Sequence, residues 1–300
     1  MPLPRIALIG VPSSAGARRT GQELGPAAFR AARLTERLRT GGVDVADFGD
    51  LAPECFRPDP EHPRQQNRDL VVAVAQQVAD QVDRAVADDR VPLVVGGDCT
   101  LSLGVIAGLL RHHASLGLVY FDGDVDLNTP ETTPSGVFEG MVLAHALGGG
   151  ARELAEIGPR LPMLDEADVV LFGYDTESGW VDPYEIETLN RSRMSKYPLA
   201  SIRDDPTSAA REALRRMEAN ALLIHFDIDV TDSAAADVPH PRGLDVTSAL
   251  AALGVFTAAP NCAAVAVTEY NGKRDPDGSR ADRFVAGLVE VLANPRRPHR

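Results

Sequence analysis

The chain has 300 residues, a formal net charge of −13 at pH 7 and a hydrophobic content of 44%, which is enough for a full core. Such an acidic protein is poorly suited to the phosphates of nucleic acids or to an anionic membrane surface, so we expect neither partner. A basic cluster at residues 296–300 ends the sequence and is interpreted as a frayed terminus.

The cysteines and the apolar runs indicate a cytoplasmic protein. Cys55, Cys99 and Cys262 are odd in number, widely spaced and form no CxxC pair, so we predict thiols in a reducing compartment rather than a disulfide framework. The first apolar run is only about six residues long, which is too short for a signal peptide. No run approaches the roughly 18–20 residues of a membrane span.

Apolar strand-like runs alternate with helical patterns along the whole chain. A first strand leads through a Gly/Ser loop into a helix that has Pro26 near its first turn. The Pro-rich residues 52–66 are interpreted as a surface excursion, because the alternation resumes unchanged after them. Residues 173–200 are harder to assign, although a helix is predicted to begin near Trp180. Strands are predicted at residues 4–11, 43–48, 91–95, 116–121, 169–172, 221–227 and 263–267, and the other helices at 25–38, 68–88, 102–112, 138–148, 206–219, 245–257 and 279–293.

This alternation predicts the fold class. Strands that alternate with helices form a parallel sheet covered by helices on both faces, so we expect a three-layer α/β/α fold with about eight mainly parallel strands. We find no internal repeat and expect a single domain over residues 1–300. In such sheets, sites gather outside the carboxyl ends of the strands.

An acidic stretch follows the apolar run at residues 116–121. Read as an extended strand, it places Asp122, Asp124 and Asp126 on one face, since side chains alternate with a period of two. Three adjacent carboxylates cannot all stay ionised without a cation or an array of donors. The nearest basic residues in the sequence are Arg111 and Arg152. A metal site is therefore the first hypothesis.

Three other strands also end in polar sequences. Cys99 follows the strand at 91–95, and Glu269 follows the strand at 263–267. The strand at 221–227 ends in His225-Phe-Asp227-Ile-Asp229, where alternation again places both aspartates on one face. Oxygen-rich donors of this kind suit Mg²⁺ or Mn²⁺, and a bridging pair of carboxylates could hold two ions. His225 is either a further ligand or a core histidine behind the site.

These motifs, in this order and spacing, resemble the ureohydrolase family, which includes arginase and agmatinase. The opening residues Ile-Gly-Val-Pro (9–12) and Arg-Thr-Gly-Gln-Glu-Leu-Gly-Pro (19–26) are similar to arginase. Gly-Gly-Asp-Cys-Thr (96–100) resembles the family's GGDHS, Asp-Gly-Asp-Val-Asp (122–126) its DAHxD, and Phe-Asp-Ile-Asp (226–229) with Asp232 its SFDxDxxDP. Thr-Pro-Glu-Thr-Thr-Pro-Ser-Gly (129–136) is especially close to arginase itself.

The resemblance implies an arginase-like fold and roles for individual residues. Asn128 and Ser135 would contact the amino-acid end of a substrate, Asp182 would bind its α-amino group, and Glu269 would hold its guanidinium group. Glu139 stands where the family has a proton-shuttling histidine, and Asp126 would act beside it in catalysis. The implied metal ligands are Cys99, Asp122, Asp124, Asp126, Asp227 and Asp229, with Asp122 and Asp227 bridging two ions.

The implied function is hydrolysis of a C–N bond in the guanidino or amidino group of arginine or a derivative, such as N-hydroxyarginine, by metal-bound hydroxide. Two Mn²⁺ ions per chain are expected, with Fe²⁺, Zn²⁺ or Mg²⁺ as alternatives. The resemblance also implies a homo-oligomer, either a trimer or a hexamer.

Three departures from the family pattern leave alternatives open. Cys99, Asp124 and Glu139 each stand where the family has histidine. Asp124 adds negative charge, which attracts cations but makes them weaker Lewis acids, and a Cys99 thiolate favours Fe²⁺ or Zn²⁺. One interpretation is a hydrolase retuned for another substrate or metal. The other is a catalytically degenerate arginase-fold protein with a binding or regulatory role.

A haloacid-dehalogenase-type phosphatase is a rival interpretation, because Asp-x-Asp after an apolar strand is also the nucleophile motif of those enzymes. That match does not extend beyond Asp122 and Asp124, and the retained acids elsewhere favour the hydrolase.

Overall fold

A single eight-stranded sheet forms the middle layer of the protein. The structure is a computed structural model and describes residues 5–293. Every strand pairing is parallel, and the spatial order is β2-β1-β3-β8-β7-β4-β5-β6. The strands are β1 (Arg5–Gly10), β2 (Asp44–Asp50), β3 (Val91–Val95), β4 (Leu116–Phe121), β5 (Val169–Phe172), β6 (Ser195–Tyr197), β7 (Ala221–Asp227) and β8 (Cys262–Thr268).

Helices cover both faces of the sheet, which confirms the predicted three-layer α/β/α fold. The helices are α1 (Gly25–Ala31), α2 (Leu34–Thr40), α3 (Arg68–Ala87), α4 (Leu101–Leu109), α5 (Val142–Ala146), α6 (Arg152–Ala155), α7 (Pro183–Arg191), α8 (Leu199–Ile202), α9 (Pro206–Arg215), α10 (Val246–Thr257) and α11 (Ser279–Ala293). One core lies between the sheet and α3 to α7, and the other between the sheet and α1, α2 and α8 to α11.

The central strands are buried on both sides, as parallel strands between two helical layers must be. Every residue of β4 and β7 is buried. Their alternate side chains contribute to different cores: Tyr120 packs in the layer that holds α3 and α4, whereas Phe121 packs in the opposite layer. This double burial explains why these strands appear in the sequence as uninterrupted apolar runs.

Some predicted elements were wrong. The single helix expected at 25–38 is two helices, α1 and α2, separated at Arg33, whose φ of 61° is left-handed. The helix expected at 138–148 is a 3₁₀ turn (Phe138–Met141) followed by the short α5, because Gly140 departs from helical angles. The sequence also did not predict β6, a three-residue strand at the edge of the sheet.

The remaining expectations concern the cysteines, membrane-spanning helices and the basic cluster at the end of the sequence. Cys55, Cys99 and Cys262 are free thiols. In the part of the chain that is described, no helix combines the length and the apolar character required to cross a membrane. The basic cluster at residues 296–300 lies outside the described residues.

Candidate metal centre

Four adjacent strands in the middle of the sheet, β3, β8, β7 and β4, point their carboxyl ends at one region. These are the four strands that the sequence shows ending in unusual polar residues. Cys99, Asp122, Asp229 and Glu269, one from each strand end, line a small cavity of about 40 Å³ there. The order of the strands therefore brings together side chains that are up to about 170 residues apart in the sequence.

The acidic stretch after β4 is a loop, so the prediction of an extended strand through residues 122–126 was wrong. Strand β4 ends at Phe121, and Asp126 has a left-handed φ of 47°. The Asp124 amide donates a hydrogen bond to Asp122 Oδ1 at 2.8 Å, which turns the chain back on itself. Asp122, Asp124 and Asp126 nevertheless all line the cavity. The turn, rather than strand alternation, gathers the three carboxylates.

A first cluster of ligand-type side chains joins the ends of β3, β4 and β7. One donor atom each from Cys99, Asp122, His225 and Asp227 lies within 4.8 Å of all the others, and all four residues are buried. The Cys99 thiol donates to Asp227 Oδ2 at 2.7 Å, and the Thr268 hydroxyl donates to the same oxygen at 3.0 Å. This cluster contains a thiol, two carboxyls and an imidazole.

The imidazole of His225 is held firmly in this cluster. Its ring stacks on Tyr120 with centroids 4.2 Å apart. Nδ1 lies 2.7 Å from the Ser102 hydroxyl, and Nε2 lies 3.2 Å from Asp122 Oδ2. His225 is thus oriented by one neighbour on each nitrogen, and Nε2 faces the carboxylates.

A second cluster consists of Asp124, Asp229 and His240, whose donor atoms also lie within 4.8 Å of one another. His240 Nε2 lies 3.8 Å from Asp124 Oδ2 and 3.7 Å from Asp229 Oδ2. His240 Nε2 and Asp124 Oδ1 are buried and have no hydrogen-bond partner among the described residues. Sequence reasoning missed His240, because it lies in an irregular segment between β7 and α10 that carries no periodic pattern.

Asp126 lies beside these clusters but belongs to neither of them. It is hydrogen bonded to the buried Tyr120 hydroxyl. Burial, followed by repulsion from Asp122 and Asp124, raises its pKa well above the ordinary value. Its predicted role as a ligand remains a prediction.

Burial and mutual repulsion make this region electrostatically costly without a cation. The pKa values of Asp227 and Asp229 are raised well above the ordinary aspartate value, first by burial and then by neighbouring carboxylates. Burial also raises the pKa of Asp124. Unpartnered buried polar atoms add a further cost, which a cation coordinated by them would remove. The donor set therefore fits divalent metal ions.

Two glutamates border the cavity. Glu269 has a left-handed φ of 64°, and its carboxylate accepts from the Cys99 amide at 3.0 Å and from Gln22 Nε2 at 3.2 Å. Glu139 Oε1 accepts from Arg18 Nε at 3.2 Å, while its buried Oε2 has no partner among the described residues. Burial outweighs the attraction of Arg18 and raises the pKa of Glu139 to about 8.

The residues expected to contact a substrate occupy two different loops. Asn128 is buried, and its Oδ1 accepts from the Thr132 hydroxyl at 2.9 Å, within the same loop as Ser135. Asp182 instead caps α7, where Oδ1 accepts from the Glu185 amide at 3.0 Å. Glu185 in turn accepts from the Leu127 amide at 3.0 Å, which ties α7 to the acidic loop.

Comparison with known proteins reveals similarity over nearly the whole chain. The family model described as the arginase family matches residues 4–293. The arginase of Bacillus subtilis (strain 168) is 33% identical over 231 residues, which is 76% of each chain, and that of Brevibacillus brevis is 34% identical over 241 residues, 78% of each. The solved arginase of Bacillus caldovelox has a TM-score of 0.88 at 28% identity, covering 97% of this chain and 98% of its own.

A formiminoglutamase from Trypanosoma cruzi, solved with Mn²⁺, has a TM-score of 0.74 at 19% identity, with 98% of this chain and 95% of that chain covered. At that level of identity the similarity concerns the fold alone.

Proposed function

Since the chain belongs to the arginase family, we propose that it is a binuclear-metal hydrolase that cleaves a C–N bond in the guanidino group of arginine or of an arginine derivative such as N-hydroxyarginine. Two neighbouring clusters of buried ligand-type side chains at the carboxyl edge of the sheet support this proposal most strongly. The similarity to the arginases of Bacillus subtilis and Brevibacillus brevis supports the choice of a guanidino substrate.

Cys99, Asp122, Asp124, Asp126, Asp227 and Asp229 are the proposed ligands of the two ions, with Mn²⁺ as the first choice and Fe²⁺, Zn²⁺ or Mg²⁺ as alternatives. When bound, the ions supply Lewis acidity and activate water as a nucleophile at neutral pH. Oxygen donors dominate the set, which favours Mn²⁺, whereas the Cys99 thiol shifts the preference toward softer ions.

Glu269 and Glu139 are assigned different roles, substrate binding and proton transfer. Glu269 is held by the Cys99 amide and by Gln22, so its carboxylate is fixed in place at the cavity wall. We assign it to the cationic guanidinium group of the substrate. Glu139 has a pKa of about 8, and one of its oxygens has no partner among the described residues, so it is suited to take and release a proton near neutral pH.

The amino-acid end of the substrate is assigned to the loop of Asn128 and Ser135. Ser135 is partly accessible, and its hydroxyl lies 3.3 Å from the Thr133 hydroxyl. Asp182 is assigned to the α-amino group. Its Oδ1 caps α7, so the substrate contact is assigned to its other oxygen.

The domain organisation, oligomeric state and cellular location are also proposed. We propose one domain over residues 1–300, a homo-oligomer of three or six chains, and a cytoplasmic location. The free cysteines support a reducing compartment. Light scattering of the purified protein measures the oligomer directly, and a monomer would contradict that part of the proposal.

The test combines metal analysis with a substrate screen. Protein is saturated separately with Mn²⁺, Fe²⁺ and Zn²⁺, the bound ions are counted by mass spectrometry, and guanidino and amidino compounds are screened for release of urea or ammonia. We expect two ions per chain and urea from arginine or a derivative. If the protein binds no ion after saturation, the proposal is refuted, and a binding or regulatory role for the same fold is favoured.

A further inference from the structure

His240 presents a buried nitrogen that nothing in the described part of the chain satisfies. The side chain of His240 is 3% exposed, and its Nε2 atom has no hydrogen-bond partner there. A buried polar atom without a partner is costly, so native structures rarely keep one without a reason. The nearest charged groups are Asp124 and Asp229, whose oxygens lie 3.8 Å and 3.7 Å from Nε2.

These separations are too long for hydrogen bonds but suit three donors around one ion. Ligand atoms bound at about 2.0–2.2 Å from a metal lie roughly 3–4 Å from one another. The donor atoms of Asp124, Asp229 and His240 all lie within 4.8 Å of each other. Asp124 Oδ1, like His240 Nε2, is buried and unpartnered. One atom on each of two side chains in this cluster therefore has no hydrogen-bond partner among the described residues.

The backbone holds His240 in this position. The segment that carries it pairs with residues just after β7, since the Leu244 amide donates to the Val230 carbonyl at 2.9 Å and the Asp232 amide donates to the Leu244 carbonyl at 2.8 Å. The Gly243 amide closes a turn onto the His240 carbonyl at 2.7 Å. These hydrogen bonds fix the chain on the carboxyl-terminal side of His240.

Gly123 provides the space for this approach. A Cβ atom at this position would lie 3.2 Å from His240 Cε1 and 3.0 Å from Asp229 Oδ1. Both contacts are tighter than most that a Cβ atom makes. A residue without a side chain between Asp122 and Asp124 therefore allows the imidazole and the carboxylates to share one small volume.

We propose that His240 is a metal ligand, and that with Asp124 and Asp229 it holds one of the two ions. The family has a histidine at the position of Asp124, so this chain lacks that nitrogen donor. The imidazole of His240, from the segment before α10, then supplies one. A neutral donor at this point also limits the negative charge around the ion. The inference rests on the metal-binding part of the proposed function and is independent of the substrate.

The test compares the metal content of the wild type and three variants, each saturated with Mn²⁺ and then freed of unbound ion. His240→Leu removes the donor and keeps an apolar side chain, and His113→Leu is the matched control at a histidine beyond the end of α4. We expect His240→Leu to hold one ion per chain fewer than the wild type, and the control to hold as many as the wild type. His240→Glu, whose carboxylate reaches about as far as the imidazole, is expected to restore the lost ion.

Circular dichroism of the metal-free proteins shows whether each variant is folded, and His240→Glu keeps a polar group in place if the leucine variant unfolds. Wild-type metal content in His240→Leu would overturn the assignment and leave His240 as a charged partner of Asp124 and Asp229. If His240→Glu is folded but still binds one ion per chain fewer than the wild type, that result would also count against His240 as a ligand. A wild type that binds no ion would instead refute the proposed metal centre as a whole.

Discussion

The Sγ atom of Cys99 lies 2.7 Å from Asp227 Oδ2, across the gap between the ends of β3 and β7. Burial, and then the negative charge of Asp227, raise the pKa of Cys99 well above its ordinary value. Without a cation, Cys99 is therefore a thiol at neutral pH and donates a hydrogen bond to Asp227. A thiol must lose that proton before it can bind a metal.

Metal binding should consequently release a proton from Cys99. We expect wild-type protein to release about one proton more per chain than Cys99→Ser when Zn²⁺ is added, because the serine hydroxyl stays protonated. Cys99→Ser should also bind Zn²⁺ at least about tenfold more weakly, with a smaller loss for Mn²⁺, since thiolate is the softer ligand. Titration in weakly buffered solution and competition with a chelator measure both effects. Equal proton release by the two proteins would mean that Cys99 does not ligate.

The carboxylates are expected to be indispensable for metal binding. Asp124→Asn and Asp227→Asn each replace a charged donor with a neutral amide of the same size, so both should abolish metal binding and urea release. Asp204→Asn, an exposed aspartate after α8, is the matched control and should retain both properties. Metal analysis and a urea assay provide the readouts. Unchanged metal content in either site variant would contradict the assignment of that residue.

Strong local patterns in the sequence predicted much of this arrangement. The bounds of β4 were predicted correctly, because six consecutive buried residues leave an unbroken apolar run. The rule that sites lie at the carboxyl ends of parallel strands predicts from the sequence alone that Cys99, Asp122 and Asp229 belong to one site. The order of the strands then explains why these ends are adjacent in space.

The remaining features depend on tertiary contacts that leave little trace in the sequence. His240 reaches the site because its segment pairs with the residues just after β7, and such pairing leaves no periodic pattern in the sequence. The turn at Asp122 replaces an expected strand, since one side-chain-to-backbone hydrogen bond decides the local conformation. Strand β6 was missed because an edge strand of three residues, of which only Tyr197 packs in a core, has no apolar run to identify it.

The ion pair between Arg18 and Glu139 should influence the pH dependence of activity. Arg18 lowers the pKa of Glu139, which burial raises to about 8. Removal of the cation in Arg18→Met should therefore raise that pKa further and shift the rising limb of kcat/KM to higher pH by about one unit. In the wild type, the Arg18 guanidinium lies 5.1 Å from the centroid of the Trp180 ring. Arg18→Lys keeps a positive charge over this ring, so its pH profile should match that of the wild type.

Glu139→Gln provides the control for this effect. If the shift arises from Glu139, Arg18→Met should cause little shift when Glu139 is already glutamine. A shift of the same size in both backgrounds would assign the pH dependence to another group.

Asp182 is expected to have both a structural and a binding role, and the two can be separated. Asp182 and Glu185 form a reciprocal capping box at the start of α7. Asp182→Ala removes the cap and should lower the free energy of unfolding by about 1 kcal/mol, whereas Asp182→Ser preserves a capping oxygen and should recover most of it. If Asp182 also binds the α-amino group of the substrate, the serine variant should still show a raised KM. Wild-type KM in Asp182→Ser would restrict the residue to capping.

His145 should make the stability of the protein dependent on pH. It is fully buried in α5, with Nδ1 2.6 Å from the Met141 carbonyl, and its Nε2 accepts from the Ala151 amide at 2.9 Å. The second hydrogen bond requires a neutral ring, and burial lowers the pKa of His145 from 6.5 to about 4. Above pH 6.5 the folded and unfolded states are both neutral, so the contribution of the residue is fully present. As the pH falls from 6.5 toward 4, only the unfolded state takes up the proton, and stability is lost.

The stability of the wild type relative to His145→Gln should therefore fall by roughly 2–3 kcal/mol between pH 7.5 and 4.5, because glutamine does not titrate while its carbonyl can still accept from Ala151. Urea unfolding at a series of pH values measures this difference. His145→Leu loses both hydrogen bonds and should be less stable throughout, yet its stability should follow the same pH slope as that of His145→Gln. If the free energy of unfolding of the wild type changes with pH as it does in these variants, the pKa of His145 is not lowered in the folded state.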